Sequence, residues 1–174
     1  MALYKTKAIS LKTSPFAEAD KLVTIFSQEF GKIKVLAKGA RRVPSRLGGR
    51  VEPLTYAEFL LAKGRSLEII SQCEALETFQ DLRNKPEKLF AGLYLLRLVE
   101  VGTAEGQPYP ELFQLLLETL LRLKKGSESN NILRDFEESF VQIEGINREG
   151  IEPYYLLREH TGVDLSLWRL LNKR

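Results

Sequence analysis

The chain has 174 residues, with 26 Lys/Arg, 23 Asp/Glu and one His, which gives a net charge of +3. Its 44% hydrophobic and 28% charged residues are typical of a globular protein of one ordinary domain or two small ones. No apolar run approaches the roughly eighteen residues that a membrane span needs, and "MALYKTKAISLK" lacks the apolar stretch of a signal peptide. We therefore expect a cytoplasmic protein that does not contact membranes.

The first 80 residues have the pattern of short strands separated by turns. "LYKTKAISL", "DKLVTIFS" and "GKIKVLAK" are three such runs, and "TYAEFLLA" and "SLEIISQ" follow, joined by a short glycine-containing connection. Five short strands with a long connection between the third and the fourth predict an OB-type β-barrel. An SH3-like barrel fits the same pattern.

A basic segment covers the third strand and the long connection after it. Residues 32 to 50 hold seven cations and no acid. Alternation in the third strand directs Ile33, Val35 and Ala37 to one face and the lysines to the other, and the mobile loop "KGARRVPSRLGGR" continues the basic run. A solvated turn is one interpretation. Such a row of cations also fits a groove that tracks nucleic-acid phosphates, and the predicted DNA-binding residues are Lys32, Lys34, Lys38, Arg41, Arg42, Arg46 and Arg50.

The hydrophobic period changes from two to about 3.6 near Pro86. "PEKLFAGLYLLRLVEVG", "PELFQLLLETLLRLKKG" and "ILRDFEESFVQIEG" predict three helices, and "PYYLLREHTG" and "DLSLWRLLNKR" predict two shorter ones. The leucine-dense second helix is expected to be the central buried one. The predicted fold class is thus α+β, with a five-stranded OB-type barrel over residues 1–80 and an all-α helical bundle over residues 81–174.

Catalytic and metal-binding patterns are missing from the sequence. The single cysteine, Cys73, and the single histidine, His160, cannot supply a Cys/His zinc site or complete a nucleophilic triad. The glycines near residue 48 are not followed by the Gly-Lys-Ser/Thr ending of a P-loop. We therefore expect no enzymatic activity, no metal and no cofactor.

The run "FAEADKLVTIFSQEFGKIKVLAKGARRVPSRLGG", followed by "VEPLTYAEFLLAKGR", resembles the N-terminal region of the RecO family of bacterial recombination mediators. The resemblance is dense over residues 3 to 80 and continues more loosely through "LFAGLYLLRLVE", "PELFQLLLETL" and "ILRDFEESFVQIEGI". Typical members then insert a further segment, often with a four-cysteine zinc module, before an ending similar to "YYLLREHTGVDLSLWRLL". The sequence is therefore interpreted as a compact RecO that lacks the zinc-bearing insertion.

The resemblance implies a non-enzymatic protein that binds single- and double-stranded DNA, anneals complementary strands and acts at the nucleoid. It implies RecR as a partner, and loading of the RecA recombinase onto strands coated by single-stranded-DNA-binding protein. Gly39, Gly48 and Gly49 would let the basic loop follow a flexible strand.

The family's helical domain receives the acidic C-terminal tail of the single-stranded-DNA-binding protein. Cations beside the leucine-rich helices would meet this tail, and the candidates are Lys88, Arg97, Lys124 and Lys125. A different hypothesis is an interaction adaptor, whose barrel and bundle recruit protein partners without annealing DNA.

Overall fold

The computed structural model describes residues 2–126 and 128–167, which form a β-barrel and a group of helices. The strands are β1 (Leu3–Phe16), β2 (Asp20–Ser27), β3 (Gly31–Ala37), β4 (Tyr56–Ala62) and β5 (Glu68–Glu77). The helices are α1 (Gln80–Arg83), α2 (Pro86–Gly102), α3 (Pro110–Lys125), α4 (Ser129–Glu144) and α5 (Pro153–Thr161).

The five strands close into a barrel in the order β1-β2-β3-β5-β4. All neighbours are antiparallel except β3 and β5, which pair in parallel through Val35 with Glu68 and Leu36 with Ile69. A closed five-stranded barrel with this order is an OB-fold, so the predicted fold class is confirmed and the SH3-like alternative is wrong.

Strand β1 closes the barrel because it pairs with two strands, β4 and β2. Its first half, Leu3 to Ile9, pairs with β4, and its second half pairs with β2 as far as Phe16. The register shifts between Ser10 and Lys12, and a bulge at this point bends a strand. The predicted strand "LYKTKAISL" therefore continues for five further residues, because the bulge lets the chain turn without ending the strand.

The barrel interior is filled by apolar side chains from the inward faces of the strands. Val23, Ile25 and Val35 are fully buried there, together with Phe59 and Leu61 of β4. Phe26 lies on the other face of β2 and is also fully buried, so both faces of this strand are covered at that point.

Residues 104 to 110 extend the barrel unit although they lie between two helices in the sequence. The chain forms two compact units: the first runs to Thr78 and includes Ala104–Pro110, and the second holds Phe79–Thr103 and the described residues from Glu111 onward. Gly106 N–H donates to the carbonyl of Lys32 over 2.8 Å, and Glu105 forms a bridge with Lys32. These residues cover the start of β3, where β5 does not pair with it.

Gly31 is required at this junction for two reasons. Its φ is +71°, a left-handed conformation that disfavours side chains, and a Cβ there would lie 1.9 Å from the carbonyl oxygen of Gln107. The close approach of residues 104 to 110 to the barrel thus depends on a glycine at position 31.

In the helical unit, α2 is the central helix, and the prediction that α3 holds this place is wrong. Helix α2 packs against α1, α4 and α5, and its buried residues occur on most of its circumference. Helix α3 buries Leu112, Leu116 and Leu120 on one side and exposes Gln114 and Glu118 on the other, because its leucines repeat with an amphipathic period.

Of the two short helices predicted near the C-terminus, the structure confirms the first and describes only the start of the second. "PYYLLREHTG" forms α5, which ends at Gly162 with φ +68°. Most of "DLSLWRLLNKR" lies outside the described residues. At its start, the carboxylate of Asp164 accepts a hydrogen bond from Ser166 N–H over 2.9 Å, which also lowers the pKa of Asp164.

Candidate nucleic-acid interface

The three lysines predicted to share the outer face of β3 have different environments. Lys38 is exposed, whereas the ammonium of Lys34 lies 3.9 Å from a carboxylate oxygen of Glu105. Lys32 is half-buried where Glu105 and Gly106 contact its backbone. The segment from 104 to 110 therefore partly occupies the strand end of the basic run, and Lys38 marks the start of its open part.

The basic loop, residues 38 to 55, is packed onto the barrel by apolar side chains. Ala40, Leu47 and Val51 are 5%, 7% and 0% exposed, and all three belong to the barrel core. The sequence predicted a mobile loop because its charges and glycines dominate the pattern. These three side chains instead hold the loop against the barrel, and the cations project between them.

The first fixed point of the loop lies against the turn between β1 and β2. A carboxylate oxygen of Asp20 accepts a hydrogen bond from Gly39 N–H over 2.8 Å, and the carbonyl of Ala19 accepts one from Arg41 N–H over 2.9 Å. The guanidinium of Arg41 donates to the carbonyl of Ala17 over 3.1 Å. Gly39 has a φ of +69°, so this turn requires its glycine.

The second fixed point lies against β5. The hydroxyl of Ser45 accepts hydrogen bonds from Leu47 N–H and Gly48 N–H, and a 3₁₀ turn follows at Gly48–Arg50. The guanidinium of Arg50 donates to the carbonyl of Cys73 over 3.3 Å, and the Cys73 thiol donates to the carbonyl of Arg50 over 3.5 Å. Arg50 thus attaches the loop to the barrel, a role that its charge alone did not indicate.

Gly48 and Gly49 do not have the positive φ that only glycine adopts easily, and a Cβ on Gly49 would meet nothing within 4 Å. Their predicted contribution to loop flexibility therefore rests on the resemblance and not on their backbone conformation.

Between the two fixed points, residues 41 to 44 and Arg46 are exposed. This part of the loop, which we name the loop tip, comprises residues 42 to 46 and carries Arg42 and Arg46 without an acidic residue. The peptide bond between Val43 and Pro44 is cis. The tip is exposed, has an arginine at each end and is held to the barrel on both sides, so it is suited to contact phosphates.

A groove of about 350 Å³ runs along the barrel beside the loop. Arg46 and Arg50 line it from the loop, and Lys5 and Gln72 line it from strands β1 and β5. Glu58 also lines the groove, and its carboxylate lies 3.6 Å from the Lys5 ammonium. Sequence reasoning missed Lys5, although the alternation of β1 places it on the outer face.

The four cations predicted to receive a partner in the helical unit are not equally accessible. Lys88 is only 8% exposed, and its ammonium donates to the carbonyl of Lys124 near the C-terminus of α3 over 3.4 Å. The expectation of a surface cation at Lys88 is therefore corrected: a helix end needs a donor there. Lys124 pairs with Asp81 at 3.9 Å, Arg97 pairs with Glu100 at 2.7 Å, and Lys125 is exposed.

Within residues 2–126 and 128–167, no group of three His, Cys, Asp or Glu side chains lies close enough to hold a metal ion. None of the helices in the same part of the chain has the length and apolar character needed to cross a membrane.

Comparison with known proteins assigns both units. Residues 1–79 match the family model described as Recombination protein O N terminal, and residues 83–146 match Recombination protein O C terminal. The chain belongs to the RecO family. The first match contains the whole five-stranded barrel with its basic loop, and the second contains α2, α3 and α4.

Several curated relatives, each named DNA repair protein RecO, are similar to this chain. The one from Pelotomaculum thermopropionicum is 44% identical over 137 residues, 79% of this chain and 53% of the relative. The one from Alkaliphilus metalliredigens is 42% identical over 145 residues, 83% of this chain and 59% of the relative. The one from Nostoc punctiforme is 43% identical over 127 residues, 73% of this chain and 42% of the relative. The chain thus spans about half the length of the curated RecO proteins it matches.

Proposed function

We propose that this RecO-family chain is a non-enzymatic recombination mediator that binds single- and double-stranded DNA and anneals complementary strands. It would bind phosphates through the loop tip and the exposed cations beside it. This activity would take place at the nucleoid in the bacterial cytoplasm, where the substrate lies.

The observation that carries the proposal is the loop tip itself. Arg42 and Arg46 are exposed on a loop whose two ends are held to the barrel by hydrogen bonds and buried side chains. Because the ends are held, few backbone degrees of freedom are lost when the arginines contact a phosphate chain. Lys38 at the first end extends the same basic surface.

Annealing follows from charge and not from bond chemistry. Two complementary strands repel each other through their phosphates, and a cationic surface that neutralises part of this charge allows them to approach. Contacts to phosphates do not distinguish bases, so binding would tolerate any sequence and leave the base edges available for pairing.

The same proposal includes the protein partners that the family resemblance implies. The mediator would work with RecR and help load RecA onto strands coated by single-stranded-DNA-binding protein. The acidic tail of that protein would meet the helical unit, where Lys125 is exposed and Arg97 and Lys124 are half-exposed. Lys88 takes no direct part in this proposal because it is buried.

The test compares two double variants that remove the same charge from different places on the barrel unit. Arg42→Ala with Arg46→Ala removes two cations of the loop tip, and Lys63→Ala with Arg65→Ala removes two exposed cations between β4 and β5. Binding to a single-stranded oligonucleotide is measured over a range of salt concentrations. For four or five phosphate contacts, log K against log[salt] should fall with a slope of roughly −3, and losing two contacts should reduce this slope by about 1.4.

Annealing of two complementary fluorescent oligonucleotides is then followed with the same variants, with and without single-stranded-DNA-binding protein. We expect the wild type and the Lys63/Arg65 variant to accelerate annealing and the Arg42/Arg46 variant to lose most of this effect. Equal losses in both variants would show that only net charge matters, and would reject the loop tip as the site. A folded wild type that binds no DNA would favour the interaction adaptor.

A further inference from the structure

Val43 is unusual among the apolar side chains of this protein. Its side chain is 98% exposed, whereas the other exposed large apolar side chains of the described residues are 36% to 67% exposed. Pro44, which follows it, is exposed as well. Two adjacent apolar residues therefore project into solvent at the centre of the most basic loop of the chain.

The loop geometry holds these two residues outward. On one side, Arg42 N–H donates to the carbonyl of Gly39 over 3.1 Å, just after the fixed point formed by Ala40. On the other side, Ser45 accepts two backbone hydrogen bonds just before the buried Leu47. A loop fixed on both sides of its apolar apex cannot easily fold that apex back onto the barrel.

The flanking charges indicate what the apex contacts. Arg42 precedes Val43 and Arg46 follows Pro44, with no acidic residue between positions 32 and 50. Cations that hold phosphates on both sides of an apolar apex bring that apex to the bases. Proteins that bend or unstack DNA insert apolar side chains between neighbouring bases in this way.

We propose that Val43 and Pro44 form a wedge that inserts between adjacent bases of the bound DNA strand. This inference rests on the proposed function, because the arginines must first bind the phosphates. The wedge separates two stacked bases and covers their faces with aliphatic carbon, so it needs no particular base. A strand opened in this way loses its internal stacking and hairpins and presents its bases to a complementary strand.

The wedge is tested with single-stranded oligonucleotides that carry 2-aminopurine, whose fluorescence rises when the base is unstacked. The protein variants are Val43→Ser, which removes the aliphatic surface, and Val43→Leu, which keeps it. The control is Leu76→Ser, which removes an apolar side chain that is 45% exposed on β5. Circular dichroism confirms that each variant is folded, which we expect because Val43 is 98% exposed and Leu76 is 45% exposed.

We expect the wild type, Val43→Leu and Leu76→Ser to raise the fluorescence on binding and Val43→Ser to lose at least about half of the rise. The affinity of Val43→Ser should change by less than about threefold, because unstacking costs about as much as the new contact provides. Its salt slope should equal that of the wild type, since its cations are intact. The annealing rate should fall together with the fluorescence rise.

Two other outcomes would overturn the wedge, and they differ from a failure of the proposed function. Salt-dependent binding without any fluorescence rise in the wild type would reject the wedge and leave phosphate binding in place. A rise that is unchanged in Val43→Ser would assign the unstacking to other residues. If the wild type shows no salt-dependent binding at all, the proposed function fails and the wedge fails with it.

Discussion

At the residue scale, the structure separates cations that are free to meet a phosphate from cations that hold the fold. All four arginines of the loop are exposed, but the guanidiniums of Arg41 and Arg50 donate to backbone carbonyls of the β1–β2 turn and of β5. From the sequence alone the four arginines are equivalent candidates, because it shows their charge and not their hydrogen-bond partners. An alanine at Arg50 would therefore change both the charge and the attachment of the loop, which is why the tests above use Arg42 and Arg46.

Two ionisable side chains of the barrel, the buried Cys73 and the half-buried Tyr4, predict how its stability depends on pH. Burial raises the pKa of the Cys73 thiol from 9.0 to about 11, although the nearby Arg50 opposes the shift. Burial, followed by the hydrogen bond and the negative charge of Glu68, raises the pKa of Tyr4 from 10.0 to about 12. In both cases the unfolded chain loses its proton first as the pH rises, so alkali favours unfolding.

Titration of these two groups should therefore leave the free energy of unfolding unchanged below about pH 9 and lower it between about pH 9 and 12. The measurement is urea unfolding at several pH values for the wild type, Cys73→Ala and Tyr4→Phe. Above pH 9, the free energy of unfolding of each variant should fall less steeply than that of the wild type. Between pH 6 and 8, the difference between variant and wild type should stay constant. Equal slopes above pH 9 would mean that these groups titrate alike in the folded and unfolded chains.

At the scale of elements, the turn between β1 and β2 positions the basic loop. Asp20 is the start of β2, and its carboxylate accepts the Gly39 N–H over 2.8 Å across nineteen positions of sequence. A backbone donor that loses a charged acceptor has no equivalent partner nearby, and hydrogen bonds to charged groups contribute about 1.5–3 kcal/mol. Asp20 therefore stabilises the loop although it is not itself a candidate DNA ligand.

Limited trypsin digestion tests this role, because trypsin cleaves after the arginines of the loop tip. Asp20→Ala should open the loop more often, and a loss of about 1.5 kcal/mol corresponds to roughly tenfold faster cleavage after Arg42 and Arg46. Asp20→Asn keeps an acceptor oxygen and should remain close to the wild type. Cleavage after Lys63 and Arg65 is the internal control, and a similar increase at those sites would indicate general destabilisation of the barrel.

The elements also show why parts of the fold were predictable from sequence. Strand alternation and the long connection between β3 and β4 predicted a small five-stranded barrel, because both can be read from local sequence patterns. The strand order β1-β2-β3-β5-β4, which decides for the OB-fold over an SH3-like barrel, required the structure. The anchoring of the loop was missed because Ala40, Leu47 and Val51 are spaced irregularly among charges and glycines. Only their shared packing in the barrel core gives them a common role.

Other misses have similar causes. Lys88 lies on the helix α2 with a hydrophobic neighbourhood, but the partner that buries it, the carbonyl of Lys124, is 36 residues away. The short helix α1 has four residues, too few for a hydrophobic period to be read. Of the candidate site, sequence predicted the cations and their loop, and structure was needed to identify Arg41 and Arg50 as the two whose guanidiniums attach the loop to the barrel.

At the scale of the whole molecule, the chain passes between the two units three times, because Ala104–Pro110 belongs with the barrel. A sequence-based boundary after residue 80 removes this segment from the barrel. Those residues are polar and lie between two strongly helical runs, so nothing in their composition connects them to β3. Their role depends on the Gly106 N–H that satisfies the Lys32 carbonyl and on the glycine at position 31 that admits Gln107.

We therefore expect a fragment of residues 1–79 to melt at a lower temperature than the same fragment followed by residues 104–110. The two parts would be joined by a Gly/Ser linker of about 15 residues, which reaches roughly 20 Å on average. A third fragment with the same linker and a scrambled 104–110 sequence controls for the added length, and thermal unfolding is followed by circular dichroism. Only the native order restores the donor to Lys32 and covers the edge of β3, so only that fragment should gain stability.

This comparison also determines how DNA binding by a barrel fragment should be interpreted. Loss of binding in residues 1–79 alone would favour the adaptor hypothesis only if the fragment is folded, because an uncovered β3 edge can unfold the loop that carries Arg42 and Arg46. Binding that returns together with stability on adding 104–110 would instead locate the phosphate contacts on the barrel unit. Equal melting of all three fragments would contradict the structural role assigned to residues 104–110.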